Sequence, residues 1–181
     1  MKESNPYFLY VGNAYPHKNL ERAIKASINL KTDFYIVSSR NVFTNRLEKL
    51  IKKLKAEKYV RLLGFVSDEK LQELYKNSVG FIYPSLSEGF GLPGLEAMKA
   101  GTIVLCSYIK VFLEIYLNNA IYFDPYDVKS ISAAMKRVLT LTKVERKKKI
   151  ENEKEFIKRY SWENMARQTL EVYRSVSLPV S

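Results

Sequence analysis

Two glutamates that enclose a glycine-rich segment stand out as residues that could do chemistry. Glu88 and Glu96 are separated by seven residues, and these include three glycines and a proline. Carboxylates accept hydrogen bonds from hydroxyl groups, and glycines let a ligand approach the main chain closely. The apolar segment Val79 to Tyr83 precedes them and favours a buried strand, whereas Leu95 to Ala100 favours a helix. The pattern predicts a strand-to-helix turn that binds a ligand.

The start of this predicted helix is suited to an anion. Pro93 fits the first helical position, because its φ is already helical and its missing N–H loses nothing there. The free N–H groups and the positive dipole end of a helix N-terminus bind phosphate groups. A glycine-rich turn after a strand also occurs in many α/β proteins, and a glutamate in a first helical turn can simply interact with the dipole. A purely structural turn therefore stays open as the alternative.

The composition is that of a globular protein. The 181 residues are 46% hydrophobic and 13% aromatic, which fits one domain with a sizeable core. Neither a run of about 20 apolar residues nor a signal-peptide pattern is found, so we expect a soluble, cytoplasmic protein. The single cysteine, Cys106, lies in an apolar run and is expected in the core, and the lone His17 makes no metal site by itself. Metal dependence is therefore not expected.

The chain carries a net charge of +11, mostly from lysine. Much of this charge lies in Lys49 to Lys58 and in Lys143 to Arg159. Apolar residues recur at three- and four-residue spacing in and before the first stretch, which predicts an amphipathic helix with a lysine-covered outer face. Such a face is usually solvated, but peripheral binding to an anionic membrane surface stays open. Nucleic acid is not expected as a partner, because the basic stretches lack arginine-rich or aromatic-glycine signatures.

Short apolar runs alternate with helical periodicity along the chain. The predicted strands are Tyr7 to Val11, Phe34 to Val37, Val60 to Leu63, Gly80 to Tyr83, Thr102 to Cys106 and Ala120 to Phe123. The predicted helices are Lys18 to Leu30, Phe43 to Glu57, Asp68 to Asn77, Leu92 to Ala100, Val111 to Leu117, Val128 to Leu141, Lys143 to Arg159 and Trp162 to Val176. This alternation predicts an α/β fold, a doubly wound parallel sheet in one Rossmann-like domain over residues 1–181.

Three predicted turns meet at the carboxyl edge of this sheet, where doubly wound domains bind their ligands. They are Gly12 to Lys18, Gly64 to Ser67 and Pro84 to Leu92. The first turn has one glycine and so lacks the Gly-x-Gly-x-x-Gly dinucleotide pattern, which disfavours a hydride-transfer enzyme. Lys18 is predicted at the start of a helix, where a cation is unfavourable unless an anionic ligand lies beside it. The turns therefore predict an anion-binding site, with a solvated lysine as the alternative.

These motifs together resemble the C-terminal half of the retaining glycosyltransferases of the GT-B fold, family four in the usual classification, also called glycosyl transferases group 1. The matching segments, in family order, are Tyr10 to Gly12, Pro16 to Arg22, Leu63 to Leu71, Glu88 to Met98, Ala100 to Thr102, Tyr122 to Pro125 and Ser161 to Glu163. The resemblance implies a domain that binds a nucleotide-diphosphate sugar as donor substrate. It further implies a transferase that moves a hexose to a glycan, lipid or small acceptor without a cofactor or a metal.

The resemblance also implies roles for individual residues. The residues implied to bind the donor are Gly12, Lys18, Phe65, Val66, Gly89, Phe90, Gly91, Leu92 and Glu96. Glu88 is implied as the catalytic residue and lies against the sugar with the amides that follow it. Lys18 would neutralise the diphosphate, Glu96 would accept hydrogen bonds from ribose hydroxyls, and the turn around Phe65 and Val66 would contact the base.

Other functions stay open at this stage. The first predicted strand begins at the seventh residue, so we expect the acceptor-binding N-terminal domain of a GT-B enzyme to be absent from this chain. A stand-alone nucleotide-sugar-binding or interaction module without transferase activity is the main alternative, and a phosphosugar epimerase-like enzyme is a lesser one. The sequence does not determine the base, the sugar or the acceptor.

Overall fold

The computed structural model describes residues 5–176, and these residues contain one six-stranded parallel sheet. Its strands are β1 (Tyr7–Val11), β2 (Asp33–Val37), β3 (Val60–Gly64), β4 (Gly80–Tyr83), β5 (Val104–Ser107) and β6 (Ile121–Phe123). The strand order is β3-β2-β1-β4-β5-β6, and each neighbouring pair is parallel. The predicted α/β, doubly wound, Rossmann-like fold is confirmed.

The helices follow the strands in alternation. They are α1 (Leu20–Leu30), α2 (Val42–Lys53), α3 (Asp68–Asn77), α4 (Leu92–Ala100), α5 (Lys110–Tyr116), α6 (Val128–Leu139), α7 (Lys143–Phe156) and α8 (Trp162–Val176). Short 3-10 turns lie at Pro16–Lys18, Leu117–Asn119 and Ile157–Arg159. Side-chain caps fix several starts: Asn41 caps α2, Ser67 caps α3 and Thr142 caps α7 by accepting hydrogen bonds from backbone N–H groups of the first turn.

The helices form two layers. The chain steps outward from β1 to β3, returns to β4 and then steps outward the other way to β6. Right-handed crossovers therefore place α1 and α2 on one face of the sheet and α3, α4 and α5 on the other. Helix α6 packs against α1, so it joins the first layer, and α7 packs against α4 in the second. The central strands are buried on both faces, with Phe8, Leu9 and Tyr10 of β1 fully enclosed.

The start of the first helix differs in kind from the prediction. The sequence pattern predicts a helix from Lys18, and this is wrong: Lys18 ends a 3-10 turn, and α1 begins at Leu20. Asn19 lies between them in the left-handed conformation, with φ at 55°, which asparagine tolerates better than most residues. The ammonium group of Lys18 therefore belongs to a loop. Lys18 is therefore not part of the helix whose dipole was expected to disfavour a cation there.

Glu153 of α7 is a buried carboxylate near β5. Its side chain is 1% exposed, and the ammonium nitrogen Nζ of Lys149 lies 3.2 Å from its Oε1. Within residues 5–176 neither carboxylate oxygen accepts a well-aligned hydrogen bond. Burial raises the pKa of Glu153 to about 8, although Lys149 and the Val104 backbone act in the opposite direction.

This carboxylate is expected to make stability depend on pH. An unfolded chain releases the proton near pH 4.5, whereas the folded chain keeps it until about pH 8. The free energy of unfolding should therefore fall by about 1.4 kcal/mol per pH unit between these values as the pH rises. Glu153→Gln should flatten this slope in urea denaturation curves. Glu151→Gln, an exposed neighbour on the same helix, should keep it, and equal slopes in both variants would contradict the assignment.

Candidate functional site

The candidate site lies where the strand order reverses. β1 and β4 are neighbours, and the chain leaves them in opposite directions. Doubly wound sheets open a crevice at the carboxyl ends of two such strands. The β1–α1 loop (residues 12–19) and the β4–α4 loop (residues 84–91) lie at this point. The topology thus brings the two loops with the predicted site residues together.

A nearly buried ion pair joins these two loops. Lys18 Nζ lies 2.6 Å from Glu88 Oε1, and the two side chains are 11% and 9% exposed. The ammonium group also lies 5.9 Å from the centre of the Tyr83 ring. Because little water reaches them, the charges attract each other more strongly than at a surface, and each has lost much of its hydration. The structure thus brings together two predicted site residues that are 70 positions apart in the sequence.

Two buried tyrosines lie beside this pair. Burial raises the pKa of both Tyr10 and Tyr83, and the charge of Glu88 raises both further. Their hydroxyls therefore stay protonated at physiological pH and act as neutral hydrogen-bond donors. The Tyr10 hydroxyl donates to the Asn13 carbonyl oxygen at 2.7 Å and holds the start of the β1–α1 loop.

Asn19 connects three loops by hydrogen bonds. This structural role was not predicted from the sequence. Its Nδ2 donates to the carbonyl oxygens of Pro84, at 3.0 Å, and Pro125, at 2.8 Å. The Leu86 N–H donates to the His17 carbonyl oxygen at 2.7 Å and closes the same junction. Asn19 therefore positions Lys18 relative to the β4–α4 loop. An asparagine directly before a helix was the available signal, since it caps helices and adopts the left-handed conformation.

The β4–α4 turn leads directly into α4, and Gly91 at its end is buried. Gly91 has φ at +100°, a conformation that glycine adopts without strain, and α4 begins at the next residue. Among the described residues, the N–H groups of Gly89, Phe90 and Gly91 donate no hydrogen bond. Gly89 and Phe90 are exposed. These N–H groups and those of the first turn of α4 are suited to oxygen atoms of an anionic ligand.

Glu96 lies on α4, one to two turns beyond this loop, and its side chain is exposed. Partial burial of the carboxyl group raises its pKa, Asp68 adds to the rise, and the Tyr75 hydroxyl opposes it. Asp68 is the first residue of α3 and directly follows the turn that contains Phe65 and Val66. Because the charge of Asp68 acts on Glu96, this end of the turn lies on the same side of the domain as Glu96. The Phe65 side chain is 84% exposed and available for contact.

The predicted site residues thus fall into two groups. Lys18, Glu88 and the amides that follow Glu88 meet at the switch point, and Gly12 directly follows β1 there. Phe65 and Val66 follow β3, which is separated from β1 by β2. The roles of all these residues toward a ligand stay predictions.

A cavity of about 350 Å³ adjoins the site without containing it. It lies between the β1–α1 loop and α2 and is lined by Tyr15, Phe43 and Arg46, among others. Neither Glu88 nor Glu96 lines it. We place the candidate site at the switch point instead, because the ion pair and the free amides lie there. A crevice that is open on one side encloses little volume by itself.

Within residues 5–176, no cluster of three or more histidine, cysteine, aspartate or glutamate side chains is arranged to hold a metal ion. No helix in the same range has the length and apolar character needed to cross a membrane. The lysine-rich helices α2 and α7 lie at the surface, where ion pairs such as Lys147 with Glu151, at 3.8 Å, contribute little to stability. Binding of these helices to an anionic surface stays a prediction.

The strand order and the parallel pairing define a Rossmann-like domain with a candidate site at its switch point. The chain belongs to the glycosyl transferases group 1 family, which matches residues 1–156. It is 36% identical to the O-antigen chain mannosyltransferase RfbU of Salmonella typhimurium over 91% of this chain and 46% of that protein. It is 32% identical to the O-antigen chain mannosyltransferase B of Escherichia coli over 93% of this chain and 45% of that protein. These matches confirm the predicted family.

Solved structures of glycosyltransferases share the fold. Sucrose-phosphate synthase of Thermosynechococcus elongatus superposes with a TM-score of 0.87 at 24% identity, over 97% of this chain and 46% of that one. TarM of S. aureus, solved in complex with UDP, superposes with a TM-score of 0.81 at 18% identity, over 93% of this chain and 35% of that one. The chain spans about half the length of the curated relatives it matches.

The tight packing at Gly94 gives a stability prediction. A methyl group on Gly94 would overlap the Tyr116 hydroxyl, whereas one on Gly89 meets no atom within 4 Å. Gly94→Ala should therefore lower the free energy of unfolding by about 1–3 kcal/mol, and Gly89→Ala should change it by less than about 0.5 kcal/mol. Adding Tyr116→Phe to Gly94→Ala should recover part of the loss. Urea denaturation of the four proteins measures this, and equal effects of the two alanines would contradict it.

Proposed function

We propose that this chain binds a nucleotide-diphosphate sugar and forms the donor-binding domain of a glycosyltransferase that transfers a hexose to a glycan, lipid or small acceptor. One observation carries the proposal: the nearly buried Lys18–Glu88 pair lies next to the free amides of residues 89–91 at the switch point. A cation and free amides suit a diphosphate, and carboxylates suit the hydroxyls of a sugar and a ribose. One elongated ligand therefore accounts for all of them.

Mannose is the hexose that we favour. The relatives at 36% and 32% identity are both named mannosyltransferases, and this degree of similarity extends over most of the present chain. The UDP in the TarM structure belongs to a protein that shares only the fold at 18% identity. The base is therefore left to experiment, and both guanosine and uridine donors are included in the test below.

The chemistry of transfer explains the role proposed for Lys18. The reaction breaks the bond between the anomeric carbon of the sugar and a diphosphate oxygen. The anomeric carbon bonds to the oxygen of an acceptor hydroxyl, whose proton is released together with the nucleoside diphosphate. Negative charge grows on the departing diphosphate, and a fixed cation stabilises it in the transition state. An ammonium group has three N–H donors, so Lys18 can bind a phosphate oxygen while it holds Glu88. In this proposal Glu88 lies against the sugar as the catalytic residue and Glu96 binds the ribose.

The resemblance further suggests that transfer retains the anomeric configuration and needs neither a metal nor a cofactor. A crevice open on one side leaves the sugar in contact with water, which competes with the acceptor. We therefore propose that an acceptor-binding domain in cis covers this side and positions the acceptor. The chain matches only about half of the two O-antigen mannosyltransferases named above, which supports this proposal.

Calorimetry with the present chain tests donor binding. We expect GDP or UDP, and the corresponding GDP-mannose or UDP-glucose, to bind at micromolar to millimolar concentration. Glu96→Ala should raise the Kd by about tenfold or more, because hydrogen bonds to a charged group are lost. Glu151→Ala, which removes an exposed acid on α7, should bind like the wild type. The proposal fails if none of the four nucleotides binds at millimolar concentration.

A second measurement tests the role of Lys18. Lys18→Met should weaken binding of the preferred nucleoside diphosphate by about tenfold or more and that of the monophosphate by less. Lys25→Met removes an exposed lysine of α1 that pairs with Glu21 and should change neither value. Because Lys18→Met leaves Glu88 buried without a partner, the double variant with Glu88→Gln provides a protein without that unpaired charge. Equal affinity for the nucleoside diphosphate in the wild type and in both Lys18 variants would show that Lys18 does not bind the diphosphate.

A further inference from the structure

We propose that Tyr116 and Tyr75 are positioning residues of the donor site: two buried tyrosines that fix, from α5 and α3, the backbone and the carboxylate that α4 presents to the ligand. The inference rests on the proposed function, because it assigns to both residues an effect on nucleotide affinity. Neither tyrosine belongs to the motif that connects Glu88 with Glu96.

The Gly91 carbonyl oxygen accepts hydrogen bonds from the Gly94 N–H, at 3.1 Å, and from the hydroxyl of Tyr116. The Tyr116 ring is fully buried, and its hydroxyl donates to this oxygen at 2.5 Å. That carbonyl and the Leu92 N–H belong to the same planar trans peptide, so they point in opposite directions. A carbonyl held toward the buried tyrosine therefore turns the Leu92 N–H away from the core. This N–H belongs to the first turn of α4, where no carbonyl of the same helix can accept from it.

The two glycines of this segment create the space for Tyr116. A Cβ atom on either Gly91 or Gly94 would overlap the Tyr116 hydroxyl. Gly94 has an ordinary helical backbone, and its lack of a side chain is explained by this contact. The glycine pattern that suggests a ligand close to the main chain is therefore in part a requirement of the tyrosine.

Aromatic contacts extend from Tyr116 to the ion pair. The Tyr116 ring stacks on the Phe112 ring, with 5.3 Å between the ring centres. The centre of the Phe112 ring lies 4.8 Å from that of Tyr83. Tyr83 in turn lies 5.9 Å from the ammonium group of Lys18. Close-packed side chains leave little freedom for any of these rings. The turn and the ion pair are thus held by one continuous group of side chains.

Tyr75 acts on the other end of the motif. It is fully buried, and its backbone carbonyl accepts hydrogen bonds from Thr102 and Ser78 hydroxyls. Its own hydroxyl lies 3.5 Å from Glu96 Oε2 and 3.4 Å from the Pro93 carbonyl oxygen, both at the long limit of a hydrogen bond. Glu96 is otherwise exposed, so this contact limits its rotamers and leaves lone pairs free to accept hydrogen bonds from ligand hydroxyls.

Calorimetry with GDP and UDP on three variants tests the inference. Tyr116→Phe should raise the Kd of the nucleotide that binds the wild type by about fivefold or more, the effect expected for one hydrogen bond. Tyr7→Phe is the matched control, because it also removes a buried hydroxyl. Tyr7 is the first residue of β1, and its hydroxyl donates to the Leu74 carbonyl oxygen at 2.9 Å. This control should lower the melting temperature and leave the Kd within about twofold. Tyr75→Phe should reduce the preference for the ribonucleotide over its 2′- and 3′-deoxy forms.

The outcomes separate this inference from the proposed function. If the wild type binds neither nucleotide, both fail. If the wild type binds and Tyr116→Phe keeps the Kd of Tyr7→Phe, the proposed function stands and the role of Tyr116 is overturned. If Tyr116→Phe does not fold, the test rests on Tyr75→Phe, which alters only two long hydrogen bonds. An unchanged preference for the ribonucleotide would overturn the inference, and a reduced preference would support it.

Discussion

The candidate site depends on one interaction, the ion pair between Lys18 and Glu88. Two charges with little access to water are tolerated only while they stay together, because separating them would leave each without hydration or a partner. Their separation of 2.6 Å fixes the β1–α1 loop against the β4–α4 loop. Asn19 supports the same junction with hydrogen bonds to two distant carbonyl groups. The parallel sheet brings the two loops together, and these contacts hold them there.

The rest of the site is built mainly from backbone. The directions of the N–H groups after Glu88 and in the first turn of α4 are set by the orientation of their peptide planes. Buried side chains such as Tyr116 contact this backbone. Backbone groups are chemically alike in every residue. If the proposed donor binds here, these amides can hold its oxygen atoms but cannot distinguish one base or sugar from another.

Family membership and architecture both support the proposed donor-binding domain. The chain belongs to the glycosyl transferases group 1 family and matches about half of the two O-antigen mannosyltransferases. A crevice at the edge of one sheet can bind a donor, but excluding water and positioning an acceptor require a second surface. The proposed division of work between two domains therefore follows from where a doubly wound sheet binds its ligands.

The sequence by itself determined the fold class, the position of nearly every strand and helix to within a few residues, and the spacing of Glu88 and Glu96. These features follow from local periodicity and turn chemistry, which neighbouring residues set. Only the tertiary structure decided that Lys18 pairs with Glu88, that Lys18 lies before the helix, and that Tyr116 occupies the space left by glycines. Such contacts join residues that are far apart in the chain, and local patterns carry no information about which distant groups will meet.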